Sequence, residues 1–135
     1  MSYILDAGLV VAALIDSGPV GRWAESYLQG ESLAAPHLMP VEVANILRRS
    51  VLAGDISADA ASIAHGDLLE LQIELFPYEP FADRVWELRD NVTSYDAWYV
   101  ALAESLPGVL VTLDARLSRA AGPQCEFALP PDTMP

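Results

Sequence analysis

Lysine is missing from this chain of 135 residues. Its seven basic residues are all arginines (Arg22, Arg48, Arg49, Arg84, Arg89, Arg116 and Arg119), set against 19 acids for a net charge of -12. Without a lysine there is no receiver-type phosphoacceptor domain and no Gly-rich phosphate loop of a nucleotide-triphosphate motor, because both need an ammonium group on the phosphoryl oxygens. The negative balance repels phosphate backbones at long range, so any contact with nucleic acid must depend on local arginines and bound cations. The same balance attracts a basic protein partner; solubility is the plainer reading of it.

Cysteine is nearly absent too. Cys125 stands alone, which excludes an internal disulfide and is compatible with a reducing cytoplasm. The sequon Asn91-Val92-Thr93 then carries no meaning. No apolar run approaches the 18 or so residues of a membrane span, since Asp6 interrupts the first and Pro107 closes a later one. No basic segment precedes the first apolar stretch, so no signal peptide is expected. The length suits one domain over 1–135, with a Pro-rich loop at 130–135.

What is present is a regular alternation. Tyr3-Ile4-Leu5 reads as a short strand, and Leu9 to Leu14 as a helix by its spacing. Gly18-Pro19 breaks that helix, and Val20 to Leu28 forms a second one with Trp23 and Tyr27 on one face. Leu33 to Pro36 reads as a strand. Pro40 suits the first turn of a helix that continues from Val41 to Leu52. A helix opens at Ser57 and runs to about Leu71, a strand is expected over Glu74 to Tyr78, and Pro80 starts a helix over Phe81 to Arg89. Thr93 to Glu104 follows, apolar nearly all round and so expected to be buried, with Ser94 as its N-cap. Val109 to Leu113 is the clearest strand, Arg116 to Ala121 a short helix, and Glu126 to Leu129 a last strand. Short apolar strands alternating with helices indicate an α/β fold with a parallel sheet covered on both faces.

Four acids hold related places in this pattern. Asp6 and Asp114 end strands, while Glu42 and Asp96 lie in first turns of helices. A parallel sheet collects such positions at the carboxyl ends of its strands, where ligand sites form. Each acid has a plainer role open to it: Asp6 and Asp114 as caps, Glu42 as an exposed helix residue, Asp96 as a favourable charge at a helix start. If the four converge, two charges 4 Å apart repel by about 4 kcal/mol at an effective dielectric of 20. A hard divalent cation, Mg²⁺ or Mn²⁺, would neutralise them, and carboxylate-held cations of this kind act on phosphate esters. His37 and His65 have no ligand spacing. Trp98 and Tyr99 read as packing residues, and Arg116 is open to holding a phosphate or pairing with an acid.

The blocks ILDAG (Ile4 to Gly8), APHLMPVEVANILRR (Ala35 to Arg49), SYDAWYVALAE (Ser94 to Glu104) and VTLDARL (Val111 to Leu117) together resemble the PIN-domain ribonucleases. Within that family they are most similar to the VapC-type toxins of prokaryotic toxin-antitoxin pairs. The resemblance covers nearly the whole chain, and its specificity comes from the four blocks occurring jointly and in order.

The resemblance implies a three-layer α/β/α fold around a central parallel sheet and an endoribonuclease that depends on Mg²⁺ or Mn²⁺. The family's acidic quartet falls on Asp6, Glu42, Asp96 and Asp114. Asp6 and Asp96 would be direct metal ligands, with Glu42 and Asp114 holding the metal or its waters and orienting the attacking water. It also implies a cytoplasmic homodimer silenced by an antitoxin whose basic C-terminal segment crosses the site. Arg48, Arg49, Arg116 and Arg119 are the candidates for RNA contact. One departure is Gly8, where the family often has Ser or Thr. The rival reading is a PIN-like module that binds a partner without catalysis. A dehalogenase-type phosphatase is excluded, since it needs an aspartate where Gly8 stands.

Overall fold

A computed structural model describes residues 1–131, so most of the expected tail loop lies outside the described residues; Pro130 and Pro131 have no regular structure. The strands are β1 (Ser2–Leu5), β2 (Leu33–Pro36), β3 (Glu74–Phe76), β4 (Gly108–Val111) and β5 (Glu126–Ala128). The helices are α1 (Ala7–Ile15), α2 (Pro19–Leu28), α3 (Met39–Leu52), α4 (Ala58–Glu70), α5 (Ala82–Glu87), α6 (Ser94–Ser105) and α7 (Ala115–Ser118). The sheet is parallel throughout, in the order β3-β2-β1-β4-β5.

Each element follows from local chemistry. Ile4, Leu5, Val109, Leu110 and Val111 are buried, as strands covered on both faces require. Proline occupies the first turn of α2 and α3, where its missing N–H has no helical partner to lose. The α1–α2 corner requires glycine at position 21, because a Cβ there would lie 1.8 Å from the carbonyl oxygen of Asp16.

The chain order places the layers. α1 packs against α2, α3 and α4, while α5 packs on α6, and α6 lies along β1, β2 and β4. Right-handed crossovers put the helices between β1 and β3 on one face and those between β3 and β4 on the other. The expected three-layer architecture is therefore the observed one. α6 is its central helix: Ala97, Tyr99, Val100, Ala101, Leu102 and Ala103 are all buried.

Several boundaries differ from those expected. The N-cap of α6 is Thr93, not Ser94: its hydroxyl accepts from the backbone N–H of Asp96 at 3.2 Å. β4 ends at Val111, although the Thr112 N–H still reaches the carbonyl of Ala128 at 3.0 Å. β3 stops at Phe76, and the expected helix from Phe81 is a 3-10 turn (Glu79–Phe81) followed by α5. α7 covers one turn only.

The connection after β1 leads to β2 on one side, whereas β4 lies on the other side of β1 and leads outward to β5. The sheet order thus reverses between β1 and β4. In an open α/β sheet this switch point, at the carboxyl edge, is where a crevice forms.

Candidate active site

Asp6 and Asp114 stand at that switch point, and both are caps as well as candidate site residues. Asp6 leaves β1 in an extended conformation, and its Oδ1 accepts from Leu9 N at 2.8 Å to cap α1. Asp114 follows β4, and its Oδ1 accepts from Arg116 N at 3.0 Å and from Leu117 N at 3.2 Å to cap α7. Capping and site duty do not exclude each other here, because a carboxylate has a second oxygen to offer. For Asp6 that oxygen, Oδ2, accepts from the hydroxyl of Thr112. The Thr112 oxygen in turn accepts from Asp114 N at 3.0 Å. A buried threonine thereby joins the ends of β1 and β4.

Glu42 and Asp96 come from opposite faces of the sheet. Glu42 lies in the first turn of α3, and its Oε1 accepts from the phenol of Tyr99 at 2.6 Å. Tyr99 is one turn after Asp96 on α6, so the two share a helix face. Asp96 lies in the first turn without being the cap. All four acids are half-buried.

Their electrostatics show the convergence. Burial pushes the Asp6 carboxyl up to about 6, against lowering by Thr112 and Leu9, and the charges of Asp96 and Glu42 push it further. Burial also raises Glu42; its Tyr99 bond works against this and Asp96 adds to it. Asp96 is raised by burial and then by Asp114, with Thr93 and Arg116 opposing. Acids from four separate segments thus feel one another, and the only base acting on this set is Arg116.

Of the two roles open to Arg116, the structure shows the pairing with an acid. Its Nε lies 3.9 Å from Asp114 Oδ1, a loose pair, and its side chain is 90% exposed. It lines a groove of about 310 Å³ with Asn91, Thr93, Asp96, Asp114 and Leu117. Arg48 and Arg49 are not brought to the acids. Six and seven residues beyond Glu42, they lie about 10 Å further along the axis of α3. Arg48 lines a separate groove against Ala61 and His65 of α4. Arg119 is exposed just past α7, and both histidines face solvent.

The residues suit a hard cation. The donors are carboxylate oxygens, which a hard cation prefers, and no lysine competes for them. Among the described residues no three acids already stand close enough to enclose an ion. Mg²⁺ keeps several waters and takes one or two carboxylates directly, so it does not need three acids around it. Space does not explain Gly8. A Cβ there would lie 3.7 Å from Asp6 Oδ1, an ordinary contact, so a hydroxyl side chain would fit.

Tyr99 and Thr112 are the polar partners that sequence reasoning missed. Tyr99 was counted as packing and Thr112 as strand interior. The signals were present: Tyr99 follows Asp96 by one helical turn, and Thr112 is the single polar residue in VLVTL.

The family model of the PIN domain matches residues 3–123. Ribonuclease VapC1 of Mycobacterium tuberculosis is 41% identical over 93% of this chain and 96% of its own length. VapC ribonuclease Mb0985 of Mycobacterium bovis is 36% identical over 95% and 98%. Among solved structures, PAE2754 from Pyrobaculum aerophilum superposes with a TM-score of 0.69 at 25% identity, over 94% of this chain and 83% of that one. The match of the family model and of these relatives over most of the chain places it in the PIN domain family, among the VapC ribonucleases.

Proposed function

We propose that the protein is a metal-dependent endoribonuclease, the toxin of a type II toxin-antitoxin pair, with Asp6, Glu42, Asp96 and Asp114 as its catalytic residues. The observation that carries this reading is the placement of four acids at one edge of the sheet, after β1 and β4 and in the first turns of α3 and α6. Cleavage of RNA is supported by relatives of 34–41% identity that are named ribonucleases.

Asp6 and Asp96 are the residues that would hold Mg²⁺ or Mn²⁺, with Glu42 and Asp114 beside them. When bound, such a cation lowers the pKa of its water and stabilises the oxygens of an in-line phosphoryl displacement. Thr112 fixes the Asp6 carboxylate, and Tyr99 fixes that of Glu42. Arg116 offers its guanidinium to a phosphate at the groove. Arg48 and Arg49, on the outer part of α3, are candidates for holding RNA away from the cleaved bond.

The partner is proposed to be an antitoxin with a basic C-terminal segment, supported by the net charge of -12. Val41, Leu52, Ile63 and Leu69 expose 63–70% of their surface on α3 and α4, which supports a covered face, by antitoxin or by a second copy in a homodimer. A cytoplasmic location fits the lone cysteine.

A second reading, a PIN-like binding module without catalysis, is favoured by the open spacing of the acids. One experiment separates the two. Total cellular RNA is incubated with the protein in Mg²⁺ or in EDTA, beside Asp96→Asn, and the cleavage sites are mapped. Discrete sites that need both Mg²⁺ and Asp96 are expected. RNA left intact by the folded, metal-loaded protein overturns the nuclease reading.

A further inference from the structure

A cleft of about 390 Å³ between Glu104, Gly108, Cys125 and Glu126 lies at the opposite edge of the sheet from the acids. It has acidic walls and a lone thiol, but no group aimed at a ligand. The apolar face of α3 and α4 belongs to the partner already proposed. The Arg84–Glu104 pair is satisfied within the fold. What is left is a side chain that touches the site from within the core.

We infer that Tyr99 is a positioning residue of the site: from inside α6 its phenol sets the direction in which Glu42, on α3, presents its free carboxylate oxygen to a divalent cation. The inference deepens the nuclease reading and rests on it.

Three observations carry it. The phenol donates to Glu42 Oε1 at 2.6 Å, linking residues 57 apart in sequence and two elements that enter the site separately. Tyr99 is 3% exposed, so its ring is fixed by the core and the O–H starts from a rigid base. Tyr99 therefore joins α3 and α6, the elements that bear Glu42 and Asp96. Finally, the bond uses one oxygen of Glu42. A glutamate in the first turn of a helix otherwise has three side-chain torsions to explore, and a single strong donor removes most of that freedom while leaving Oε2 for the cation.

The plainer role is structural. A buried tyrosine needs a partner for its O–H, and Glu42 would be merely that partner. The two roles differ in what the bond does for metal. A structural bond changes only fold stability, whereas a positioning bond changes metal affinity, and does so only while Glu42 is present.

The test measures Mn²⁺ binding to the full chain by calorimetry for the parent, Tyr99→Phe, Glu42→Ala and the double variant. Tyr99→Phe keeps the ring and removes one oxygen; Tyr99→Met, a second probe of the same position, removes the O–H in another shape. Losing a group that orients a metal-binding carboxylate costs roughly tenfold in affinity, and that loss is expected for both. In the Glu42→Ala background, Tyr99→Phe is expected to change nothing further. Affinity unchanged in Tyr99→Phe but weakened in Glu42→Ala overturns the positioning role and leaves the acidic site intact. Equal losses from Tyr99→Phe with and without Glu42 also overturn it. A parent that takes up no Mn²⁺ removes the nuclease reading together with this one.

Discussion

Thr112 and Asp6, 106 residues apart, share a hydrogen bond that fastens the end of β4 to the end of β1. Thr112 is the one fully buried polar side chain among the described residues, and its oxygen also accepts from Asp114 N. One hydroxyl thus serves the Asp6 carboxylate and the Asp114 backbone at the switch point. Thr112→Val keeps the shape and strands both partners, so a loss of about 1–3 kcal/mol in urea unfolding is expected. Thr112→Ser restores the hydroxyl and is expected to recover most of that loss. Equal instability in the two variants would show that the methyl group, not the hydroxyl, matters.

The raised Asp6 carboxyl makes stability depend on pH in a stated direction. An aspartate ordinarily titrates near 3.8, and burial lifts this one to about 6. Between these values the folded state holds a proton that the unfolded chain releases, so this group favours folding less as pH rises through the window. In EDTA, the parent relative to Asp6→Asn is expected to lose about 1 kcal/mol between pH 5 and pH 7.5. Added Mg²⁺ should restore more at pH 7.5 than at pH 5, because binding needs the ionised form. A difference between the two proteins that does not vary with pH counts against the shift.

Removing charge from the repelling set is expected to cost the fold little. Asp96 does not cap α6, so Asp96→Asn in EDTA should melt within about 2 °C of the parent or above it, since surface-like changes fall within about 0.5 kcal/mol. The rise in melting temperature on adding Mn²⁺ should disappear along with RNA cleavage. Loss of the fold would return Asp96 to a structural role.

Arg116 gives a reading in salt. A guanidinium that neutralises one RNA phosphate adds about 0.7 to the slope of log affinity against log salt for a single strand. Arg116→Ala is expected to lower the slope by about that amount and to leave the melting temperature in place, the side chain being 90% exposed. An unchanged slope would assign Arg116 to Asp114 alone.

The far end of α6 supplies a control. Arg84 holds Glu104 through Nε at 2.7 Å and a second nitrogen at 3.1 Å, and Glu104 also accepts from Gln124 N at 2.7 Å. Burial opposes the Glu104 charge, but these donors outweigh it and keep the carboxyl below its usual range. Arg84→Met leaves that partly buried charge unpaired and is expected to cost about 2 kcal/mol, less than the 3–5 of a fully buried pair. Mn²⁺ affinity should not change, because the pair sits at the opposite edge of the sheet from the acids.

Much of this was legible in the sequence, for identifiable reasons. The expected strands Tyr3 to Leu5 and Val109 to Leu113 are short apolar runs closed by an aspartate, and the prolines at 19 and 40 mark helix starts. The acids could be collected because a parallel sheet brings strand ends and the helix starts beyond them to one edge. What was not legible depends on side-chain direction. Thr93 rather than Ser94 caps α6, a choice between two good capping residues that the neighbouring fold decides. Tyr99 and Thr112 looked apolar by position, and only packing shows which of their atoms meets Glu42 and Asp6. Arg48 and Arg49, candidates for RNA contact, share α3 with Glu42, but the helix separates them from it by nearly two turns.

The double duty of Asp6 and Asp114 bears on how such a protein is disarmed. Asparagine starts a helix about as well as aspartate, and one base transition in an aspartate codon writes it. Harmless descendants of a poisonous gene are therefore a single step away, folded and still able to engage whatever restrains them. Survivors of its overproduction should carry asparagine at these two positions more often than alanine.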